Sequence, residues 1–154
     1  MNIATFCGHS CVPNGDPVRE WLYRVVEEVI REGIVKFYLG GYGEFDLMAA
    51  SVIRDLKRLH PEVTSILVVS YLSRKVNSDL YDETIFPPLE GVPQRYAIVH
   101  RNRWMVQDSD VVIAYVSHDW GGAAGTMKYA KQKRKRILLF PHSVESWFCF
   151  CAVI

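Results

Sequence analysis

The sequence predicts an α/β domain with a five-stranded, mostly parallel sheet and helices on both faces. Two observations lead to this. Short apolar runs at 34–39, 66–69, 111–116 and 137–140 alternate with longer stretches whose apolar residues recur at helical spacing. Two glycine-rich turns, Gly40-Gly41-Tyr42-Gly43-Glu44-Phe45-Asp46 and Gly121-Gly122-Ala123-Ala124-Gly125-Thr126, each follow an apolar run where a strand should give way to a helix. Strand and helix alternate throughout, and the natural arrangement is a doubly covered parallel sheet.

The elements follow in order. Ile3 to Phe6 reads as a first strand, followed by the polar turn Cys7-Gly8-His9-Ser10. Asp16-Pro17 reads as a helix start, Asp as N-cap and Pro at the first helical position. Val18, Trp21, Leu22, Val25, Val26, Val29 and Ile30 continue it, and Gly33 ends it. Ile34 to Leu39 is strand two. Phe45, Ala49, Val52, Ile53, Leu56 and Leu59 mark the buried stripe of a second helix, which stops before Pro61. Ile66 to Val69 is strand three. Residues 71–93 form a long loop, ordered by its aromatic and aliphatic content. Pro93 opens a third helix through Gln107, and Val111 to Val116 is strand four. A fourth helix with Met127, Ala130 and Arg134 on one stripe leads to strand five, Ile137 to Phe140. One domain spans 1–154, with its core at 2–140 and a C-terminal extension at 141–154.

Composition bounds the function. The chain has 154 residues, of which 49% are hydrophobic and 23% charged, enough apolar material for a buried core. The net charge of +1 gives no global attraction to nucleic acid or an anionic membrane. No apolar run approaches the roughly 18–20 residues that span a bilayer, and no signal peptide opens the chain. The expectation is a soluble cytoplasmic protein. Cys7, His9 and Cys11 do not have zinc-knuckle spacing and no fourth ligand is obvious, so the cysteines are read as free thiols near a turn, with no metal. His9 reads equally as a hydrogen-bonded turn residue or as a group that orients a phosphate. Cys149 and Cys151 lie in an apolar tail whose last four residues have the form of a prenylation box, taken as chance.

In an open parallel sheet, ligands bind outside the carboxyl ends of the strands. The polar and glycine-rich segments gather at that edge. Candidate ligand-binding residues are Gly8, His9 and Ser10 after strand one, and Gly40, Gly41, Gly43 and Glu44 after strand two. Tyr71 follows strand three, and Gly121, Gly122, Gly125 and Thr126 follow strand four. Glycine lets the main chain approach a phosphate, and helix N-terminal amides hold it. Glu44 and Asp46 can accept from ribose hydroxyls, and Tyr42 and Tyr71 are placed to stack on a base. Trp104 and Met105 are read as core. Lys131, Lys133, Arg134, Lys135 and Arg136 end a helix, where cations complement its dipole. Neither G-x-G-x-x-G nor the P-loop pattern is present, which argues against a conventional dehydrogenase or P-loop NTPase.

These turns, the opening Thr5-Phe6-Cys7-Gly8-His9-Ser10 and the segment Arg101-Asn102-Arg103-Trp104-Met105 resemble the SLOG superfamily of Rossmann-like domains. That group includes the Lonely Guy phosphoribohydrolases and the Rossmann domain of DNA-processing protein A, and the chain is most similar to its small bacterial and phage YpsA-like branch. The resemblance covers residues 2 to about 140. It implies a small nucleotide ligand, with NAD- or ADP-ribose-type molecules suggested, no required cofactor, and a homodimer or higher oligomer. Arg101 would pair with phosphate. The Arg-Lys-x-x-Met segment of the hydrolases matches Arg101 and Met105, and their Pro-Gly-Gly-x-Gly-Thr-x-x-Glu turn matches Gly122, Gly125 and Thr126. The glutamate of that turn, thought to assist departure of the base, is replaced by Tyr129, a poor base at neutral pH. Arg101 and Glu44 are the remaining catalytic candidates for an N-glycosidase. The resemblance therefore favours a sensor or sponge for a nucleotide over hydrolysis.

Overall fold

A computed structural model describes residues 2–70 and 78–141. The expected site residue Tyr71 and the extension from 142 onward, with its two cysteines, lie outside the described residues. The elements are β1 (Ile3–Gly8), α1 (Gly15–Arg31), β2 (Lys36–Leu39), α2 (Gly43–Lys57), β3 (Thr64–Val68), β4 (Glu83–Ile85), α3 (Ala97–Asp108), β5 (Val111–Tyr115), α4 (Gly122–Gln132) and β6 (Arg136–Leu139). Single 3₁₀ turns occupy Ser78–Leu80 and Gln94–Tyr96.

The sheet has six strands in the order β4-β3-β2-β1-β5-β6, all parallel. The expectation of five strands is corrected by β4. This three-residue strand lies inside the stretch read as loop and pairs with β3 through Ile66↔Glu83 and Val68↔Ile85. It escapes an apolar-run reading because an edge strand has one paired neighbour and its residues here are largely exposed.

Residues of one strand alternate between two cores, as the period of two requires. Ala4 and Phe6 of β1 join Phe37, Leu39, Ile113 and the inner faces of α1 and α2. Cys7, the residue between them and Gly8, joins Val112, Ala114, Val106 of α3 and Ala124 and Ala130 of α4. Thus α1 and α2 cover one face, and α3 and α4 the other. On α1, Val18, Leu22, Val26 and Val29 are at most 1% exposed. Each such side chain contributes about 1.5–3 kcal/mol of burial, so this stripe fastens α1 to the sheet.

The helix ends refine the reading. α1 begins at Gly15 with Asn14 at the N-cap, so Asp16 and Pro17 sit within the first turn. Asp16 is thus one of the acidic residues that suit the positive end of a helix rather than its cap. The other end closes with a Schellman pair: the Ile34 N–H donates to Val29 O (2.9 Å) and the Gly33 N–H to Ile30 O (3.0 Å). Leu59, expected on the buried stripe of α2, lies past the helix end and is 72% exposed. Arg134 likewise falls beyond α4, in the turn before β6. Met105 is buried, and Trp104 packs on Tyr38 with ring centroids 5.4 Å apart. Among the described residues, no helix is long and apolar enough to cross a membrane.

Candidate functional site: a cleft at the strand-order reversal

β1 pairs with β2 on one side and β5 on the other. The chain therefore leaves β1 in one direction through α1 and returns to its other side through α3. The loops after β1 and β5 diverge at this reversal and open a crevice. A cavity of about 620 Å³ occupies it, within the size range of small-molecule sites. Of the expected residues, Gly8, His9, Ser10, Arg101, Gly121, Gly122 and Thr126 line it. Gly40, Gly41, Gly43, Glu44 and Gly125 are not among its lining residues. Tyr42, Asp46, Asn102, Ser117, His118 and Trp120 are.

The second glycine turn forms one wall. Gly121 is the N-cap of α4, with φ +92°. The Gly125 N–H closes the first turn on Gly121 O at 3.1 Å, which leaves the earlier amides of α4 without an intrahelical carbonyl. A Cβ built on Gly122 or Gly125 would meet nothing within 4 Å. Thr126 donates its hydroxyl to Gly122 O (2.9 Å), one turn back in the helix. Its oxygen still has lone-pair capacity, but donation to a phosphate would require the hydroxyl to turn.

The first glycine turn is closed. A Cβ on Gly40 would stand 2.8 Å from Arg101 Nη2 and 3.1 Å from Asp46 Oδ2. One on Gly43, whose φ is +81°, would stand 2.7 Å from Ser10 Cα. Arg101 is 4% exposed. Its Nη1 donates to Gly40 O (2.9 Å), its Nε and Nη2 donate to Asn102 Oδ1 (3.2 and 3.0 Å), and its guanidinium lies 5.7 Å from the Tyr42 ring centre. Asp46 Oδ2 accepts the Gly40 N–H (2.9 Å). Burial pushes the Asp46 carboxyl up to about 6, while Arg101 and the amides of this turn pull the other way. Arg101 therefore reaches the cavity as part of a packed Asp46–Gly40–Asn102 network that joins α3 to the turn before α2.

Gly8 also has a packing reason. A Cβ there would fall 2.1 Å from Phe45 Cδ2, inside the ring's position. Glu44 turns to the β1–α1 loop, where its Oε2 accepts the Val12 N–H at 2.8 Å and its own N–H donates to Ser10 O at 2.8 Å. Tyr129, at the position of the hydrolase glutamate, points to the α3–α4 surface. Its hydroxyl donates to Gln107 Oε1 (3.1 Å), and Arg103 and Lys133 lie over its ring. Cys7 donates its thiol to Ala123 O (3.1 Å), and burial pushes it up to about 12, so it is held as a thiol. In the basic cluster, Lys135 donates to Gln107 O and Arg136 pairs with Glu32; neither lines the cavity.

Three rings of the lining stack on one another. The His9 ring stacks on His118 at 3.8 Å between centroids, and His118 stacks on Trp120 at 3.8 Å. His9 Nε2 accepts the Ser117 N–H at 2.8 Å, tying the loop after β1 to the loop after β5. Sequence reasoning singled out His9 but not its partners, which lie more than a hundred positions away. A Trp directly before a glycine turn was the one local signal.

No protein-family model matches the chain. A curated relative, a UPF0398 protein of Halalkalibacterium halodurans, is 26% identical over 138 residues, covering 76% of this chain and 71% of that protein. Among solved structures, DNA processing protein A of Helicobacter pylori, described by its single-stranded DNA binding, superposes with a TM-score of 0.65 at 15% identity over 90% of this chain. This chain spans 64% of that one, less than two thirds of its length. The molybdenum cofactor binding protein of Rippkaea orientalis gives a TM-score of 0.60 at 22% identity, covering 90% of this chain and 75% of that protein. With its all-parallel sheet in the order β4-β3-β2-β1-β5-β6, the chain shares the Rossmann-like fold of these solved structures.

Proposed function

We propose that this chain binds a small nucleotide in the cleft between the ends of β1 and β5, acting as a sensor or sponge rather than a hydrolase. The observation that carries the reading is the open second turn: unfilled space over Gly122 beside the free amides of α4, at the reversal of strand order. A phosphate there gains charge-assisted hydrogen bonds and the helix dipole. Arg101, held at the same cavity, adds positive charge. NAD- or ADP-ribose-derived molecules are the class implied by the superfamily resemblance.

Hydrolysis is less well served. Glu44 is bonded to the Val12 amide away from the cavity lining, and Tyr129 is on the outer surface. Single-stranded nucleic acid is the second reading, favoured by the Helicobacter protein described as binding it. A cleft of about 620 Å³ and a net charge of +1 favour the small ligand.

A thermal-shift screen over nucleotides tests the proposal. A ligand at a hundredfold its Kd adds about 2.7 kcal/mol, a rise of roughly 5–10 °C for a chain of this size. If no nucleotide raises the melting temperature, the reading fails. Incubation with AMP or NAD, followed by assay for released base or nicotinamide, separates binding from hydrolysis. Turnover that disappears in Glu44→Gln would overturn the binding-only role.

A further inference from the structure

We propose that Trp120 is the outer leaf of a ring-stacking subsite, so that the ligand of this cleft carries a planar heteroaromatic ring beside its phosphate. The proposal rests on the phosphate-binding reading above and specifies what the rest of the ligand must be.

The geometry is a column with an open end. His9, His118 and Trp120 lie ring on ring at 3.8 Å steps, with interplanar angles of 15° and 17°. Its base is fixed. His9 Nε2 accepts the Ser117 N–H, the His9 N–H donates to Tyr115 O at 3.2 Å, and His118 Nδ1 meets Trp120 O at 2.8 Å. Accepting an N–H requires a lone pair on Nε2, so His9 is neutral in this arrangement and the two imidazoles stack without paired positive charges.

The outer ring is left uncovered. His118 occupies one face of Trp120, yet the residue is 69% exposed, so that exposure comes from its other face and its edges. An indole fixed in orientation loses little further rotational freedom on binding, which favours a planar guest. Trp120 lines the cavity and stands one residue before Gly121, the N-cap of α4. A phosphate on the amides of α4 therefore places the attached sugar and ring within reach of the indole. Ile98 of α3, 38% exposed and lining the same cavity, supplies further apolar surface. Stacking on an aromatic platform tolerates any base, because every base has a π-face. The column thus selects for the presence of a ring more than for its identity.

Calorimetric titration with AMP, GMP and ribose 5-phosphate tests this. The wild-type chain should bind at least one nucleotide tenfold or more tighter than ribose 5-phosphate. Trp120→Ala should erase that advantage and leave ribose 5-phosphate binding within about twofold of wild type. Trp120→Phe should keep most of the advantage. The residue is exposed, so the variants should keep the wild-type circular dichroism spectrum and melting temperature. Equal affinity of the wild type for ribose 5-phosphate and the nucleotides overturns the stacking subsite and leaves the phosphate site standing. So does an undiminished nucleotide preference in Trp120→Ala. Binding of none of the three overturns the phosphate reading and the subsite with it.

Discussion

The two glycine turns occupy equivalent places, each between a parallel strand and the helix that follows, and both are rich in glycine. Their surroundings are opposite. Around Gly40 and Gly43 a methyl group would meet Arg101, Asp46 and the backbone of Ser10 at 3.1 Å or less. Around Gly122 and Gly125 it would meet nothing within 4 Å. The first turn uses glycine so that protein can approach protein, while the second uses it and leaves the space empty. Glycine content in a strand-to-helix turn therefore signals close approach without saying what approaches, and packing has to supply the answer.

The largest expected effect tests the closed turn. Gly43→Ala forces a Cβ onto Ser10 Cα in a backbone conformation with φ +81°. The left-handed penalty of about 1–2 kcal/mol adds to an overpacking cost of about 1–3 kcal/mol. Urea unfolding should show a loss of about 2–5 kcal/mol, and a loss below about 1 kcal/mol would mean that this turn has slack.

A middle-sized effect comes from Asp46, the carboxylate of the closed turn. Its folded pKa of about 6 stands above the ordinary value of 3.8. The folded state therefore binds more protons than the unfolded one between these values. The stability that this group contributes is fully present below about pH 4 and is lost as pH rises through about 6. The loss is at most about 2 kcal/mol, because the residue is only partly buried. Stability measured from pH 4 to 7 should fall less steeply in Asp46→Asn than in the wild type. Parallel profiles would place the carboxylate in a wetter setting than the turn provides.

The smallest effect belongs to the open turn. Gly125 is inside α4 with room for a side chain, so Gly125→Ala should raise stability by about 0.5–1 kcal/mol through helix propensity. Thermal denaturation would show this as a rise of a few degrees. A destabilised Gly125→Ala would end the contrast between the two turns.

The fold was legible where a local pattern had a single physical cause. The stripe from Val18 to Ile30 is buried because it faces the sheet, and its period appears in the sequence directly. β4 was not legible, since Glu83-Thr84-Ile85 is recruited by pairing with β3 rather than by its own apolarity. The candidate site was legible as an edge of the sheet, because strand-to-helix turns collect there. Its wiring was not. The Arg101–Gly40 bond spans 61 positions and the His9–Ser117 bond spans 108. Glu44 and Asp46 both looked available for a ribose, and only packing separates the one bonded to Val12 from the one in the cavity wall.

The placement of β1 at the centre of the sheet has a consequence for the order of events during folding. Part of the cleft lining is written between Phe6 and Asp46, and the rest begins only at Ile98. During synthesis, the N-terminal half can pair β1, β2 and β3 and seat α1 and α2 before β5 exists. The cleft comes into being only when β5 docks against β1, late in the growth of the chain. A ligand held there would act on a nascent chain only after that docking, and its binding would report that the sheet has closed.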